Sequence, residues 1–168
     1  NFATYYGGDN NDMANSITIS ITGSIFFAGS TKSNNLILKD AGGLSYYQDS
    51  IYAPPLTWSG FIVYLRADGN ALIWATYFHR VNDPNGSRIN DITIGNSGKI
   101  FVAGAGHFPI KTLAGAFNDQ VSYGGIAEFS PDFELIWSTS FGNTFYSDIN
   151  RSIVTDDNDN IFVTGTVI

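Results

Sequence analysis

Short apolar runs alternate with polar, glycine-bearing turns along the whole chain. The runs have the length of strands: "FIVYL" at 61–65 and "IFVT" at 161–164 are apolar almost without interruption. A strand with one wet face alternates apolar and polar positions, whereas an uninterrupted run predicts burial on both faces. Parallel βαβ folds also give such runs, but their crossovers need amphipathic helices. No stretch of about ten residues or more carries the helical period, so the pattern predicts an all-β protein.

The runs also repeat. "ANSITISITGSIFFAGS" (14–30), "INDITIGNSGKIFVAGA" (89–105) and "NRSIVTDDNDNIFVTGT" (150–166) align without gaps, spaced 75 and then 61 residues apart. In each, an isoleucine (Ile17, Ile92, Ile153) opens a strand, a polar turn follows, and a second strand ends at a glycine (Gly29, Gly104, Gly165). That is a hairpin signature. A second pair of strands lies between the hairpins: "GFIVYLRADGNALIWATYFH" (60–79) matches "GGIAEFSPDFELIWSTSFG" (124–142), with Trp74 and Trp137 in the same place. The opening "FATYYGG" (2–8) aligns with the end of this unit, Thr4 on Thr76 and Thr139.

Four-stranded antiparallel units repeated along a chain are the mark of a β-propeller. The expected order is one strand, two whole four-stranded units and a final hairpin, 11 strands in all. Residues 1–13 are read as the last strand of a preceding blade and 14–88 as a blade with a long insert at 31–59. A second blade follows at 89–149, and 150–168 is the first hairpin of a third, truncated blade. Propellers close with 4–8 blades, so the sequence predicts a segment of a larger propeller or, alternatively, a ring of several copies.

Composition narrows the partners. Hydrophobic residues make up 43% and charged residues 14%, with 13 Phe, 9 Tyr and 3 Trp, which suits an ordered, aromatic-rich β protein. A net charge of −7 disfavours DNA and RNA, whose binding depends on cationic neutralisation of phosphates. With no cysteine there is no disulfide framework or thiolate chemistry. No apolar run approaches the ~20 residues that span a bilayer, and the first residues read as a strand rather than a basic leader.

The phrases "ATYYGGDNND", "HFPIKTLAGAFNDQVSYGG" and "SIVTDDNDNIFVTG" together resemble the SBBP repeat, a seven-bladed-propeller-type repeat of large secreted and surface proteins of bacteria. The resemblance rests on Thr4, Tyr5, Gly7, Gly8, Asp12, Ser16 and Ile17. It continues at Phe108, Pro109, Gly115, Ala116 and Phe117, and again at Ser152, Ile153, Asp156, Asn160, Phe162, Val163, Thr164 and Gly165. The chain departs from the pattern where His79 and Arg80 replace a Gly-Gly and where Asp159 replaces a turn glycine. The family implies a scaffold with an extracellular or cell-surface address and carries no catalytic set. Its Bacteroidetes members commonly belong to large exported proteins with C-terminal signals of type IX secretion, and such a signal is not visible here.

Candidate chemistry is sparse. The insert at 31–59 holds Tyr46, Tyr47, Tyr52 and Trp58, and aromatics on a long loop suit a surface glycan or a protein partner, or else seal the blade edge. The turn "DDNDN" gathers Asp156, Asp157 and Asp159, as a Ca²⁺ site or as a solvated hairpin turn. Within the insert, "DSI" (49–51) resembles the Bacteroidetes O-glycosylation acceptor, which makes Ser50 a candidate. His79 and His107, the only imidazoles, read as surface polar residues, with Asp83 the one carboxylate near His79 in sequence. Trp74 and Trp137 read as structural. Among channel-lining positions of the first strands, Asp91 is the main polar exception.

The expectation is a non-enzymatic scaffold or adhesin-type module joined to the remaining blades of a longer chain. The alternatives are a propeller-type glycoside hydrolase or polysaccharide lyase, and a subunit of a secretion or gliding machine. A glycoside hydrolase needs two carboxylates roughly 5–10 Å apart, and the small or apolar residues of the first strands favour binding over catalysis.

Overall fold

The fold was analysed in a computed structural model, which describes residues 3–52, 57–109, 111, 123–141 and 149–166. Ten strands fall into three antiparallel sheets. The first sheet contains β1 (Asp12–Ile19), β2 (Ile25–Thr31), β3 (Ser59–Leu65) and β4 (Leu72–Phe78), side by side in that order. The second repeats the arrangement with β5 (Ser87–Ile94), β6 (Ile100–Gly106), β7 (Gly124–Phe129) and β8 (Leu135–Phe141). The third is the hairpin of β9 (Ile149–Thr155) and β10 (Ile161–Thr166).

The sheets stack face to face in chain order, β5 against β1 and β2, and β9 against β5 and β6. Side chains of the three first strands bond to one another, which sets β1, β5 and β9 along the inner edge of the stack. Phe26, Ile62, Trp74 and Phe78 of the first sheet share one core with Ile92, Ile100, Val102 and Phe129 of the second. Phe101, Ala103 and Ile126 of the second sheet share another with Ile153 of the third. The uninterrupted runs are thus buried on both faces as their pattern predicts: β2, β3, β4, β6 and β7 are nearly all interior.

The end faces explain the exceptions. Ile92 and Ile153 are 3% and 2% exposed against the preceding sheet, but Ile17, at the same repeat position, is 69% exposed. Phe26 and Phe101 are 6% and 1% exposed against the following sheet, whereas Phe162 is 57% exposed. Ile17 and Phe162 are the two halves of one repeated junction, each lacking its counterpart among the described residues.

A bulge recurs in every hairpin. The register of β1 with β2 skips Asn15, that of β5 with β6 skips Asn90, and that of β9 with β10 skips Arg151. These are equivalent positions, and each bulge lies opposite the glycine that ends the repeat motif: Gly29, Gly104 or Gly165. The extra residue pushes backbone toward the partner strand, so at Gly29 and Gly104 a Cβ would meet backbone atoms of the bulge.

One expected strand is not found. Residues 3–8 of the "FATYYGG" segment form no ladder, since the described residues offer no adjacent strand to pair with. Tyr6 instead packs on Phe27 and Phe61 at 5.4 and 5.7 Å, and its hydroxyl donates to Ile37 O at 2.9 Å. Together with Leu36, Leu38 and Ile51 it covers part of the outer face of the first sheet. Of the motif carrying the family resemblance, Gly115, Ala116 and Phe117 lie outside the described residues.

Candidate functional site

The connection from β2 to β3 begins and ends at one end of the stack, and the starts of β5 and β9 lie at that same end. After leaving β2, the chain crosses to the free edge of β4. There Lys39 and Ala75 exchange both backbone hydrogen bonds, 3.0 and 2.9 Å, and Lys39 Nζ donates to Leu72 O. The second blade repeats this device: Lys111 bridges Ser138 and its Nζ donates to Leu135 O. Both lysines therefore cap the edge of a fourth strand.

Gln48 fastens the insert further along. Its N–H donates to Thr76 Oγ1 (2.8 Å), its carbonyl accepts from Tyr77 N–H (3.1 Å), and its Oε1 accepts from His79 N–H (3.1 Å). The His79 ring completes the latch, with Nδ1 3.0 Å from Ser59 Oγ and Nε2 3.1 Å from Gln48 Nε2. Since Ser59 Oγ donates to Gly60 O, the network assigns the proton to Nδ1 and makes Nε2 the acceptor from Gln48. His79 is therefore a buried structural group and not the surface residue its position suggested; β3, β4 and the insert enclose it. Asp83, its neighbour in sequence, pairs with His107 instead, at 2.6 Å.

Burial lowers the His79 pKa to about 4, against the pull of the Asp83 charge. The unfolded chain takes up this proton first, near the ordinary value of about 6.5. Stability is consequently full above pH 6.5, falls as the pH drops toward 4, and levels off below it. Urea midpoints measured at pH 7, 5.5 and 4 should show a loss of roughly 2 kcal/mol across this window. His79→Asn should flatten that slope, and an unchanged slope would remove His79 as its cause.

The aromatic residues of the insert divide by environment. Tyr46 is a wedge between two blades: its ring lies 5.5 Å from Phe78 and 6.0 Å from Phe129, edge-on to both. Its N–H donates to Phe133 O and its carbonyl accepts from Trp74 Nε1, each at 2.8 Å. Burial pushes its hydroxyl pKa well above the ordinary tyrosine value. Tyr47 and Tyr52 are exposed, as is Ser50 between them. Trp58 is half-buried, with Lys32 Nζ and the Arg88 guanidinium each 5.1 Å from its ring centroid. The cation–π contacts occupy this ring, so the four aromatics do not form one patch.

The acidic turn serves the hairpin. Asp156 Oδ1 accepts from the N–H groups of Asn158 and Asn160 at 2.9 Å, and Oδ2 from Asn160 Nδ2 at 2.8 Å. These bonds, led by that of the Asn160 side chain, hold its carboxyl below the usual range. Asp157 and Asp159 reach the turn of the preceding blade, accepting from Asn96 Nδ2 and Ser97 Oγ. Asp159 has φ +62°, in the place where Gly23 and Gly98 stand at φ +82°. No group of three or more His, Asp or Glu side chains is arranged to hold a metal among the described residues.

Sheet topology, junction packing and repeated bulges define consecutive blades of a β-propeller. A comparison with protein families agrees: the SBBP model, described as a beta-propeller repeat, matches residues 136–166. No curated protein matches the chain. No helix of the described residues is long and apolar enough to cross a membrane.

Proposed function

We propose that this chain is a scaffold and adhesin-type binding segment of a large exported bacterial surface protein, of the Bacteroidetes type that the repeat suggests. Further blades of the same chain pack on its open faces. It presents its insert to surface glycans or proteins, and the modification of Ser50 with O-linked sugar fits the same setting. The observation that carries the reading is the division of labour within residues 39–52. Lys39, Tyr46 and Gln48 fix the segment to β4, while Tyr47, Ser50 and Tyr52 face solvent on a rigid support. An immobile loop bearing exposed aromatics loses little entropy on binding.

The test is binding of the purified protein to a panel of surface glycans, with the Tyr47→Ala/Tyr52→Ala double variant alongside. Binding should weaken at least about tenfold, as loss of two aromatic contacts implies. The unfolding free energy should stay within ~0.5 kcal/mol, because neither ring is interior. Undiminished binding by a folded double variant would refute the assignment.

A further inference from the structure

A cleft of about 310 Å³ lies between the first two sheets, at the end of the stack that carries the hairpin turns. Three turns form its rim, at 20–24, 95–98 and 131–133. None of the residues lining it is charged. One wall is a chain of hydroxyls: Ser20 Oγ lies 2.9 Å from Thr22 Oγ1, which is 3.3 Å from Ser24 Oγ, which in turn is 3.1 Å from the Tyr64 hydroxyl. The rings of Tyr64 and Phe133, 5.4 Å apart, give the cleft its aromatic surface.

Substitutions within the repeat leave this space between the turns. At the next junction Asn96 donates to Asp157 and Ser97 to Asp159, which ties adjoining turns together. The corresponding pairs at the first junction are Ile21 with Asn96 and Thr22 with Gly98. Ile21 has no polar side-chain atom and Gly98 has no side chain, so neither tie can form. Ser24 and Tyr64 likewise stand where the second blade has Lys99 and Glu128, an ion pair at 2.9 Å. Phe133 is also a substitution: it has φ +68° where the first blade has Gly69 at φ +71°. A bulky residue is strained in that conformation. Its ring is held there by stacking on Trp74 at 5.0 Å, and its carbonyl accepts from Tyr46 N–H at 2.8 Å. The strain keeps an aromatic ring at the rim, at a position where glycine would fit without cost.

We propose that this cleft binds an uncharged sugar, one hexose ring of a neutral glycan. A hydroxyl both donates and accepts, so the chain from Ser20 to Tyr64 can turn its donors either way to meet sugar hydroxyls, which are groups of the same kind. The rings of Tyr64 and Phe133 offer flat apolar surface to the C–H face of the sugar. A wholly apolar ligand would strip water from the hydroxyls and return no hydrogen bond. A charged ligand would find no opposite charge in the lining and would lose its hydration without compensation. The volume is at the lower end of small-ligand pockets, which suits a single ring. Tyr47 and Tyr52 do not line the cleft, so this reading goes beyond the role of the insert and does not depend on it.

Titration calorimetry and saturation-transfer NMR of the whole chain with cellotriose, laminaritriose and mannotriose test the proposal, with trigalacturonate as the charged control. At least one neutral trisaccharide should bind, and trigalacturonate should not. Thr22→Val/Tyr64→Phe removes two hydroxyls and keeps the shape of both side chains. It should weaken binding at least about tenfold, as the loss of two hydrogen bonds implies, with its thermal midpoint little changed. Ser24→Lys/Tyr64→Glu, which transplants the ion pair of the second blade, should abolish binding. The Tyr47→Ala/Tyr52→Ala variant should retain the site. Failure of all three neutral sugars to bind, or undiminished affinity in a folded Thr22→Val/Tyr64→Phe variant, overturns the proposal. If binding responds only to Tyr47 and Tyr52, this inference falls and the role of the insert stands. If it responds only to Thr22 and Tyr64, the cleft stands and the assignment to the insert falls.

Discussion

Replacing Asp91 by alanine is expected to destabilise the protein by about 3 kcal/mol, because one carboxylate joins three blades. Asp91 Oδ1 accepts from Ser16 Oγ of the first sheet at 2.5 Å and from Ile92 N–H at 3.0 Å. Oδ2 accepts from Ser152 Oγ at 2.7 Å and from Ile153 N–H at 2.9 Å, both in the third sheet. Ser16, Asp91 and Ser152 occupy one repeat position, so the inner strands carry a Ser–Asp–Ser rung across two junctions. Burial alone raises the carboxyl's pKa, but the bonds from Ser16, Ser152, Ile153 and Ile92 outweigh it and the net shift is downward. A depressed folded value gives stability that is complete above the ordinary carboxylate range and fades as pH falls through the folded value.

Alanine would leave two hydroxyls and the Ile153 N–H facing a half-buried gap. Asparagine retains one oxygen and should cost about half as much, since its amide cannot accept from Ile153 N–H. Urea unfolding of the three proteins at pH 7 decides the matter. A loss below ~0.5 kcal/mol in Asp91→Ala would mean that water replaces every bond at no cost. The larger loss would place the stability of the stack at its inner edge, away from the insert. Asp91 is then explained as a structural rung, although in the sequence it stood out as the main polar exception among the channel-lining positions of the first strands.

Much of the architecture was legible because each blade repeats the same physical problem. Both faces of the second and third strands of each sheet must be covered, so their apolar runs are continuous, and they recur in register. The last hairpin shows what the pattern encodes: "IFVTGT" reads as buried on both faces, yet β10 alternates half-buried and exposed positions. Its sequence repeats that of the buried runs, and Phe162 is exposed where Phe26 and Phe101 are buried against a following sheet. The reverse holds for residues 3–8 of "FATYYGG", which read as a strand but form no ladder.

The site was less legible. Periodicity reports burial and says little about what a loop does after it leaves a strand. The bridges from Lys39 and Lys111 to the fourth strands are made by backbone atoms as well as by Nζ, and the backbone bonds carry no residue signature. Tyr46 and Tyr47 are neighbours of one type in sequence, but one is a wedge and the other faces solvent. Lys32 and Arg88, which share the ring of Trp58, come from the start of the insert and from β5, so no local motif joins them. The repeat alignment was the available signal: at the bulge, Arg151 is charged where Asn15 and Asn90 are neutral, although the register around them is the same.

The second large effect is expected where the alignment looks plainest. Gly29→Ala and Gly104→Ala should each cost roughly 3–5 kcal/mol and can prevent folding at 37 °C. A Cβ on Gly29 would lie 1.9 Å from Met13 O and 2.9 Å from Ala14 Cα. A Cβ on Gly104 would meet Arg88 O at 1.9 Å and Ile89 Cα at 3.0 Å. These are backbone atoms of a bulge, and they cannot move without breaking the hairpin register that sets the inner strand. Neither glycine has positive φ, so the penalty is steric contact across the ladder and has nothing to do with torsional freedom.

Gly98 supplies the contrast. It has φ +82°, but a Cβ there would approach nothing nearer than 3.6 Å, on Pro131. Gly98→Ala should cost only about 1 kcal/mol, the usual penalty for a left-handed residue. Gly98→Asp should cost less still, because Asp159 already adopts φ +62° at the same point of the third hairpin. Chemical denaturation of Gly29→Ala, Gly104→Ala, Gly98→Ala and Gly98→Asp should therefore separate into two classes by several kcal/mol. If all four lost about 1 kcal/mol, the bulge would be a pliable feature of the hairpin, able to flatten and admit a methyl group. The wide separation would show instead that the bulge is fixed in each blade, and with it the direction in which Asn90 and Arg151 point.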